Sequence, residues 1–251
     1  MIFRRIKAHI AKEDWFSVLV DFVIVVFGVF MGIQVSNWNQ ALDDQREYKL
    51  ALDRVIDEAN TNIDSLRDIS ISSAKQIETV RLSIDALRSC EHTPKNLQLV
   101  ESGLAAITGT YTIHIQTGAI DEITSSPTLL AQQSRLTRKA FSAAKFVLGV
   151  LKTEADFAES LPFRDRPESN PLVILGDPVA GRINYYGLSK VDTKYSLKVT
   201  KPVNELCQDD QLLKSLYTWH RFQSKLPVGA TDMSTEMRKI IATAAQALET
   251  F

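Results

Sequence analysis

From Phe16 to Ser36 the chain reads FSVLVDFVIVVFGVFMGIQVS, twenty-one residues in which Asp21 is the single ionisable side chain. A helix rising about 1.5 Å per residue crosses the roughly 30 Å hydrocarbon layer of a bilayer in that length. Trp15 and Trp38 stand at the two ends of the run, where indole rings favour the boundary between lipid and water. They are the expected interface anchors. A secretory signal peptide is the competing reading. The run is longer than a typical h-region, however, and no small-x-small cleavage site comes before the polar NWNQALDDQREY stretch. A buried helix of a soluble protein would need neither the paired tryptophans nor the basic flank. The sequence therefore predicts an uncleaved transmembrane helix over 15–38.

The flanks orient it. Arg4, Arg5, Lys7 and Lys12 precede the run, whereas Asp43, Asp44, Arg46 and Glu47 follow it. The positive-inside rule then keeps residues 1–14 in the cytoplasm and sends 39–251 across. That places Cys90 and Cys207, the two cysteines of the chain, in an oxidising compartment where a disulfide persists. Closing so long a loop would stabilise the domain by about 4 to 5 kcal/mol in the chain-entropy model. The alternative is two separate buried thiols.

Within the span, Gly28 and Gly32 have the small-xxx-small spacing that lets two helices approach closely. Asp21 falls on the same helical stripe, with Val25, Val35 and Asn39. Two readings stay open: contact with a second copy or another envelope protein, or an ordinary membrane helix whose Asp21 reaches water or pairs with Lys12 or Arg4.

No proline or glycine occurs between Gly32 and Pro94, so the helix is expected to continue out of the span. Leu52, Ile56, Ala59, Ile63, Leu66, Ser70, Ser73, Ile77, Val80, Ile84 and Leu87 alternate steps of four and three. A seam of 3.5-residue period favours left-handed packing, in a coiled coil between chains or a bundle within one. The weak helix formers of ISISS, residues 69–73, leave two shorter helices as the alternative.

A turn at 90–94 ends this segment. A short helix is expected over Leu97 to Ile107, and TGTYTIHIQTG, residues 108–118, reads as either a short strand or an extended loop. A further helix is expected from about Ala119 to Ser160, with Pro127 as its possible break and Leu136, Ala140, Ala143, Val147, Leu151, Ala155 and Ala158 on the packed face. Residues 162–204 carry most of the prolines and read as an irregular insertion, a loop or a hairpin. Closing helices are expected from about Asn204 to Leu226 and Asp232 to Phe251, the latter with Met233, Met237, Ile240, Ala244, Leu248 and Phe251 in register. The fold class is thus mainly all-α: a membrane helix running into an extracytoplasmic helical domain.

Function is less legible. Formal net charge is −1, so no global basic footprint points to nucleic acid. GDPVAGRI, Gly176 to Ile183, has the glycine spacing of a phosphate loop, but Arg182 and Ile183 stand where lysine and a hydroxyl are required. The four histidines, His9, His92, His114 and His220, form no metal-binding spacing, and His220 reads as a structural histidine. No GxSxG elbow exists. The acidic pair Asp121 and Glu122 fits a helix-start charge preference as readily as an acid/base couple. No catalytic residue, metal or cofactor is expected.

The stretch VDFVIVVFGVFMGIQVSNWNQ resembles the anchor of a broad family of uncharacterised bacterial membrane proteins. An acidic residue, spaced small residues and a Gln-x-x-Asn-Trp-Asn ending recur there; here they are Asp21, Gly28, Gly32, Gln34, Asn37, Trp38 and Asn39. The likeness covers about the first sixty-five residues, and a weaker one follows at IDEITSSPTLL and LTRKAF, with Pro127 where a glycine is usual. It implies a single-pass protein of the bacterial inner membrane with its C-terminal domain in the periplasm, and it brings no activity with it. The leading expectation is a non-enzymatic interaction or accessory module. A ligand-sensing bundle signalling through a partner chain is the alternative, and an envelope hydrolase a third.

Overall fold

The computed structural model describes residues 15–160, 166–185 and 188–250, the side chains of 15–18 and 181–192 excepted. The basic flank at Arg4, Arg5, Lys7 and Lys12, along with His9 and Phe251, lies outside the described residues. One helix, α1, runs without interruption over Trp15–Arg88, which is about 110 Å at 1.5 Å per residue. The weak propensity of ISISS does not break it, because Ser73 is buried among the other helices and packing overrides propensity.

Helix α1 ends with Cys90 in the left-handed region, at φ 54°. The chain turns and Thr93 caps α2, Pro94–Ala106, by accepting the Asn96 amide at 3.1 Å. Helix α2 then returns along α1. After an extended segment come α3, Gly118–Ser125, α4, Pro127–Gln132, and α5, Arg135–Ser160. The expected helix over 119–160 is thus broken at Pro127, as its missing N–H and fixed φ demand, and again where Ser134 caps α5 by accepting the Thr137 amide at 3.0 Å.

The insertion is a hairpin. Strands β1, Val173–Tyr185, and β2, Leu188–Val199, pair antiparallel from Val173↔Val199 to Tyr185↔Leu188, with a bulge between Leu175 and Pro178. Proline is tolerated at such an irregularity. Gly176 lies within it, where a Cβ would come within 2.6 Å of Lys198 Cγ and 2.5 Å of Ser196 Oγ. The phosphate-loop-like segment therefore lies along a strand rather than between a strand and a helix.

The chain closes with α6, Val203–Leu206, α7, Asp210–Gln223, and α8, Leu226–Leu248. The last begins six residues before the expected Asp232, with Pro227 in its first turn where no N–H is needed. Met233, Met237, Ile240 and Ala244 are buried in register.

Two apolar clusters hang on α1. Nearer the apolar span, Leu52, Val55, Ala59 and Leu66 gather Ile120, Leu129, Phe141, Leu148, Met233 and Met237. Farther out, Val80 and Leu87 gather Leu104, Val173, Leu197, Leu206, Leu212 and Trp219. The seam of α1 is covered by helices of its own chain.

That seam differs from expectation in alternate positions. Leu52, Ala59, Leu66, Ser73, Val80 and Leu87 are buried, but the positions between them are Val55, Asn62 and Ser83 rather than Ile56, Ile63 and Ile84, which are half-buried at its border. Small and polar residues take the centre because backbone approaches there. Ser83 faces Gly103 of α2, where a Cβ would lie 2.2 Å from the Ser83 Cβ.

Gly103→Ala is expected to cost about 1–3 kcal/mol through overpacking, read as a lower denaturant midpoint. Adding Ser83→Gly should recover part of that loss. An undiminished midpoint in the single variant would show that the two helices do not cross this closely.

Candidate functional site

The segment between α2 and α3, for which the sequence allows a strand or a loop, is an extended loop that pairs with no strand among the described residues. Its backbone groups must still be satisfied, and polar side chains of the helices do so. Asn62, 2% exposed, donates from Nδ2 to the Gln116 carbonyl and accepts the Gln116 amide at Oδ1, both at 2.8 Å. Gln223, fully buried, accepts the Tyr111 amide at 3.2 Å, and Trp219 Nε1 donates to the Gly109 carbonyl at 2.9 Å. The Glu58 carboxylate accepts the Ala119 and Ile120 amides at 2.9 and 3.3 Å, at the start of α3. Ile113 is thereby held in the core.

Against this loop α5 presents two apolar faces. Its inner one, Phe141, Ala144, Leu148, Ala155 and Ala158, is buried. The expected packed face holds only in its distal half: Leu136, Ala140, Ala143 and Val147 are exposed instead. The sequence is apolar in two phases one residue apart. The phase that offers Phe141 and Leu148 fills the space beside α1, since larger side chains bury more apolar area. Phe146, Val150 and Phe157 fall on a third side, nearly opposite the buried face, and are exposed at 72%, 44% and 57%. A helix with apolar residues outside its core face is unusual for a protein surface in water.

At its distal end this outer stripe opens into a groove of about 440 Å³ between α5 and the α7–α8 turn. Leu151, Phe157, Phe222, Leu226 and Val228 wall it, and Glu154, Lys225 and Asp232 carry charge around it. Phe157 and Phe222 meet edge to face, with centroids 6.4 Å apart. Arg221 and Lys225 place their cations 5.6 and 5.7 Å from the Phe222 centroid. The arrangement offers apolar contact and a few charges, and the one hydroxyl in its described lining, Ser224, donates to the Arg221 carbonyl. Sequence reading missed Phe146, Val150, Phe157 and the groove; the recurrence of these three at steps of four and seven in KFVLGVLKTEADF was the available signal.

The singled-out residues are dispersed. Asp21, Gly28 and Gly32 lie on a stretch of α1 that is exposed throughout, and no other element among the described residues comes within 4 Å of a Cβ built on either glycine. Trp38 is 65% exposed, and the Trp15 side chain is outside the description. Asp121 and Glu122 serve different partners: Asp121 pairs with Lys145 at 2.7 Å, and Glu122 with Arg54 at 2.8 Å. The Lys145 hydrogen bond holds the Asp121 carboxyl below its usual range. Among the described residues no three His, Cys, Asp or Glu side chains converge as metal ligands would.

Cys90 and Cys207 are brought to disulfide distance, with Cα atoms 5.4 Å apart across 117 residues of sequence. No protein-family model, curated protein or solved structure matches the chain.

Two outcomes follow for these groups. Under oxidising conditions Cys207→Ser is expected to lose about 4 kcal/mol of stability by chain entropy. Cys90→Gly in that background should restore about 1 kcal/mol, because glycine adopts the left-handed backbone freely. Unfolding curves with and without reductant check both.

His220, half-buried, has its pKa held below the usual 6.5, first by burial and then by the Arg81 cation. As pH falls below that value the unfolded chain takes up the proton first, so folding loses stability through this group. In His220→Gln this contribution to acid sensitivity below 6.5 should vanish, and an unchanged pH profile of the melting temperature would refute it.

Proposed function

We propose that this is a single-pass protein of the bacterial inner membrane whose helical domain stands in the periplasm as a non-enzymatic accessory module for another envelope protein. The observation that carries the reading is the apolar stretch of α1. It is long enough to cross a bilayer, from Leu19 onward it is not buried by any of the described residues, and it passes without a break into the helix that organises both cores. Exposed apolar area on that scale is far from water's preference, and lipid relieves it. Backbone hydrogen bonds within a helix meet the other demand of the hydrocarbon layer. The resemblance of Gln34 to Asn39 to a family anchor, and the excess of Arg and Lys before the span, support the location and orientation.

Partner contact is supported at two places. In lipid, the stripe of Asp21, Gly28 and Gly32 offers a close approach to another helix. Outside it, Phe146, Val150 and Phe157 form a second apolar face whose exposure costs solubility unless something covers it. The partner is another envelope protein, or a second copy bound through the span. The heptad seam of α1 is already occupied within the chain, so a coiled coil between chains through that seam is not part of this reading.

A second reading has one observation in its favour. The groove at Phe157 and Phe222 falls within the 300–1,000 Å³ typical of small-molecule sites, which suits a ligand-sensing domain signalling through a partner chain.

Phe146→Glu with Val150→Lys is expected to leave folding within about 0.5 kcal/mol and to abolish copurification of the partner from gently solubilised membranes. Single cysteines at Gly28 and Gly32 should crosslink to self or partner in native membranes. Retained copurification together with absent crosslinks would reject this surface assignment, and a ligand-dependent rise in melting temperature would favour the second reading.

A further inference from the structure

The N-terminal turn of α5 contradicts ordinary helix electrostatics. Arg135, Arg138 and Lys139 crowd its start, and no acidic residue occurs in the first turn. The N-terminus of a helix carries partial positive charge, so cations there are unfavourable. Arg138 is partly used, donating to the Leu130 carbonyl. Arg135 and Lys139, both exposed, have no ion-pair partner among the described residues. Between them Leu136 is 80% exposed, the highest value for any large apolar side chain among the described residues. Cations set around a bare leucine, at the positive end of a 26-residue helix, suit an anionic surface with an apolar layer beneath it.

The fold sets the height of this patch. Glu58 accepts the amides of Ala119 and Ile120, and Arg54 pairs with Glu122, so α3 runs back along α1 toward the apolar span. After α4 the chain reverses. Leu148 of α5 borders a small void with Val55 and Ala59 of α1, and the later Ala155 and Ala158 reach the start of α8 at Leu226 and Gly229. Helix α8 itself runs antiparallel to α1, since Met237 meets Asn62 while Ile240 borders the void with Val55. Hence α5 rises away from the span and its first turn is its lowest point. Arg135 lies about 20 Å below Leu148, whose level on α1 is itself about 28 Å beyond Trp38. The patch therefore stands about 10 Å from the level of Trp38. The polar headgroup region adds roughly 5–7 Å to each side of the hydrocarbon layer, and an extended arginine spans the remaining gap.

We infer that Arg135 and Lys139, with Leu136 between them, dock the first turn of α5 on the anionic phospholipid headgroups of the leaflet from which the domain rises. The inference rests on the membrane reading above. Its consequence is a second, electrostatic contact beside the covalently continuous anchor, which holds the domain at one tilt and sets the direction faced by the Phe146 stripe.

The test uses the full chain in vesicles of phosphatidylcholine with or without phosphatidylglycerol. An environment-sensitive fluorophore is placed on Leu136→Cys, on Thr153→Cys as a distant control, or on Val29→Cys within the span, with the native cysteines left paired. In vesicles containing phosphatidylglycerol, lipids spin-labelled at the headgroup should quench the label at 136 by half or more and leave that at 153 unquenched. Arg135→Gln with Lys139→Gln should abolish most of the quenching at 136, as should high salt, which screens surface charge. Lipids spin-labelled in the acyl chain should quench position 29 in every variant. Quenching at 29 with none at 136 overturns the docking inference and leaves the membrane reading standing. Absence of quenching at 29 overturns both. Equal quenching at 136 without phosphatidylglycerol, or in the double variant, overturns the role of charge.

Discussion

The rest of the structure depends on the continuity of α1. Each residue between Gly32 and Arg88 keeps an N–H and a side chain compatible with helix, so no interruption separates the exposed apolar stretch from the buried seam. A helix of this length is stiff compared with a loop. The orientation of the domain is therefore coupled to that of the apolar stretch, with no hinge between them. Helices α2, α3, α4, α6, α7 and α8 all contact this rod, on the cluster around Leu52 and Leu66 or on that around Val80 and Leu87, while α5 is set beside it through α3 and α8.

The rod also satisfies chain that has no secondary structure of its own. The loop over residues 107–117 crosses the body of the domain, where unpaired backbone groups would be costly. Asn62 answers both the amide and the carbonyl of Gln116, and Glu58 takes the first amides of α3. From α7, Trp219 and Gln223 hold the other end of the loop. These polar residues occupy positions that a purely apolar seam would fill. They specify where the loop crosses rather than adding apolar burial.

Surface features that serve neither core follow a different logic. The hairpin is tied at its base by Val173 and Leu197, both buried, and by the Lys198 to Glu101 pair at 2.8 Å. Beyond that base, Leu175, Val179 and Tyr195 are exposed at 64%, 53% and 59%, and a two-stranded ribbon draws little stability from itself. On α5, one helix carries a packed face, an open apolar face and an electrostatically unfavourable start. Local choices that oppose folding mark functional or strained sites, and the rest of the fold carries their cost.

Much of the architecture was legible because it follows from short-range rules. The apolar run and the absence of proline and glycine after it determine a long helix; Pro127 determines a break; prolines and glycines clustered over residues 162–204 exclude helix there. Tertiary structure alone decided which of two apolar phases each helix buries. Ile56 and Val55 on α1, or Ala143 and Ala144 on α5, differ by a single step of 100° that sequence periodicity scarcely resolves. The choice is made by the neighbours: Gly103 lets Ser83 approach, the stranded backbone at Gln116 recruits Asn62, and the space beside α1 admits Phe141 and Leu148. Likewise the chain itself supplied two cysteines, whereas their approach to 5.4 Å between Cα atoms depends on α6, which ends at Cys207, being held against the end of α1. Local conformation is a property of neighbouring residues, while the face that meets another element depends on side chains distant in sequence.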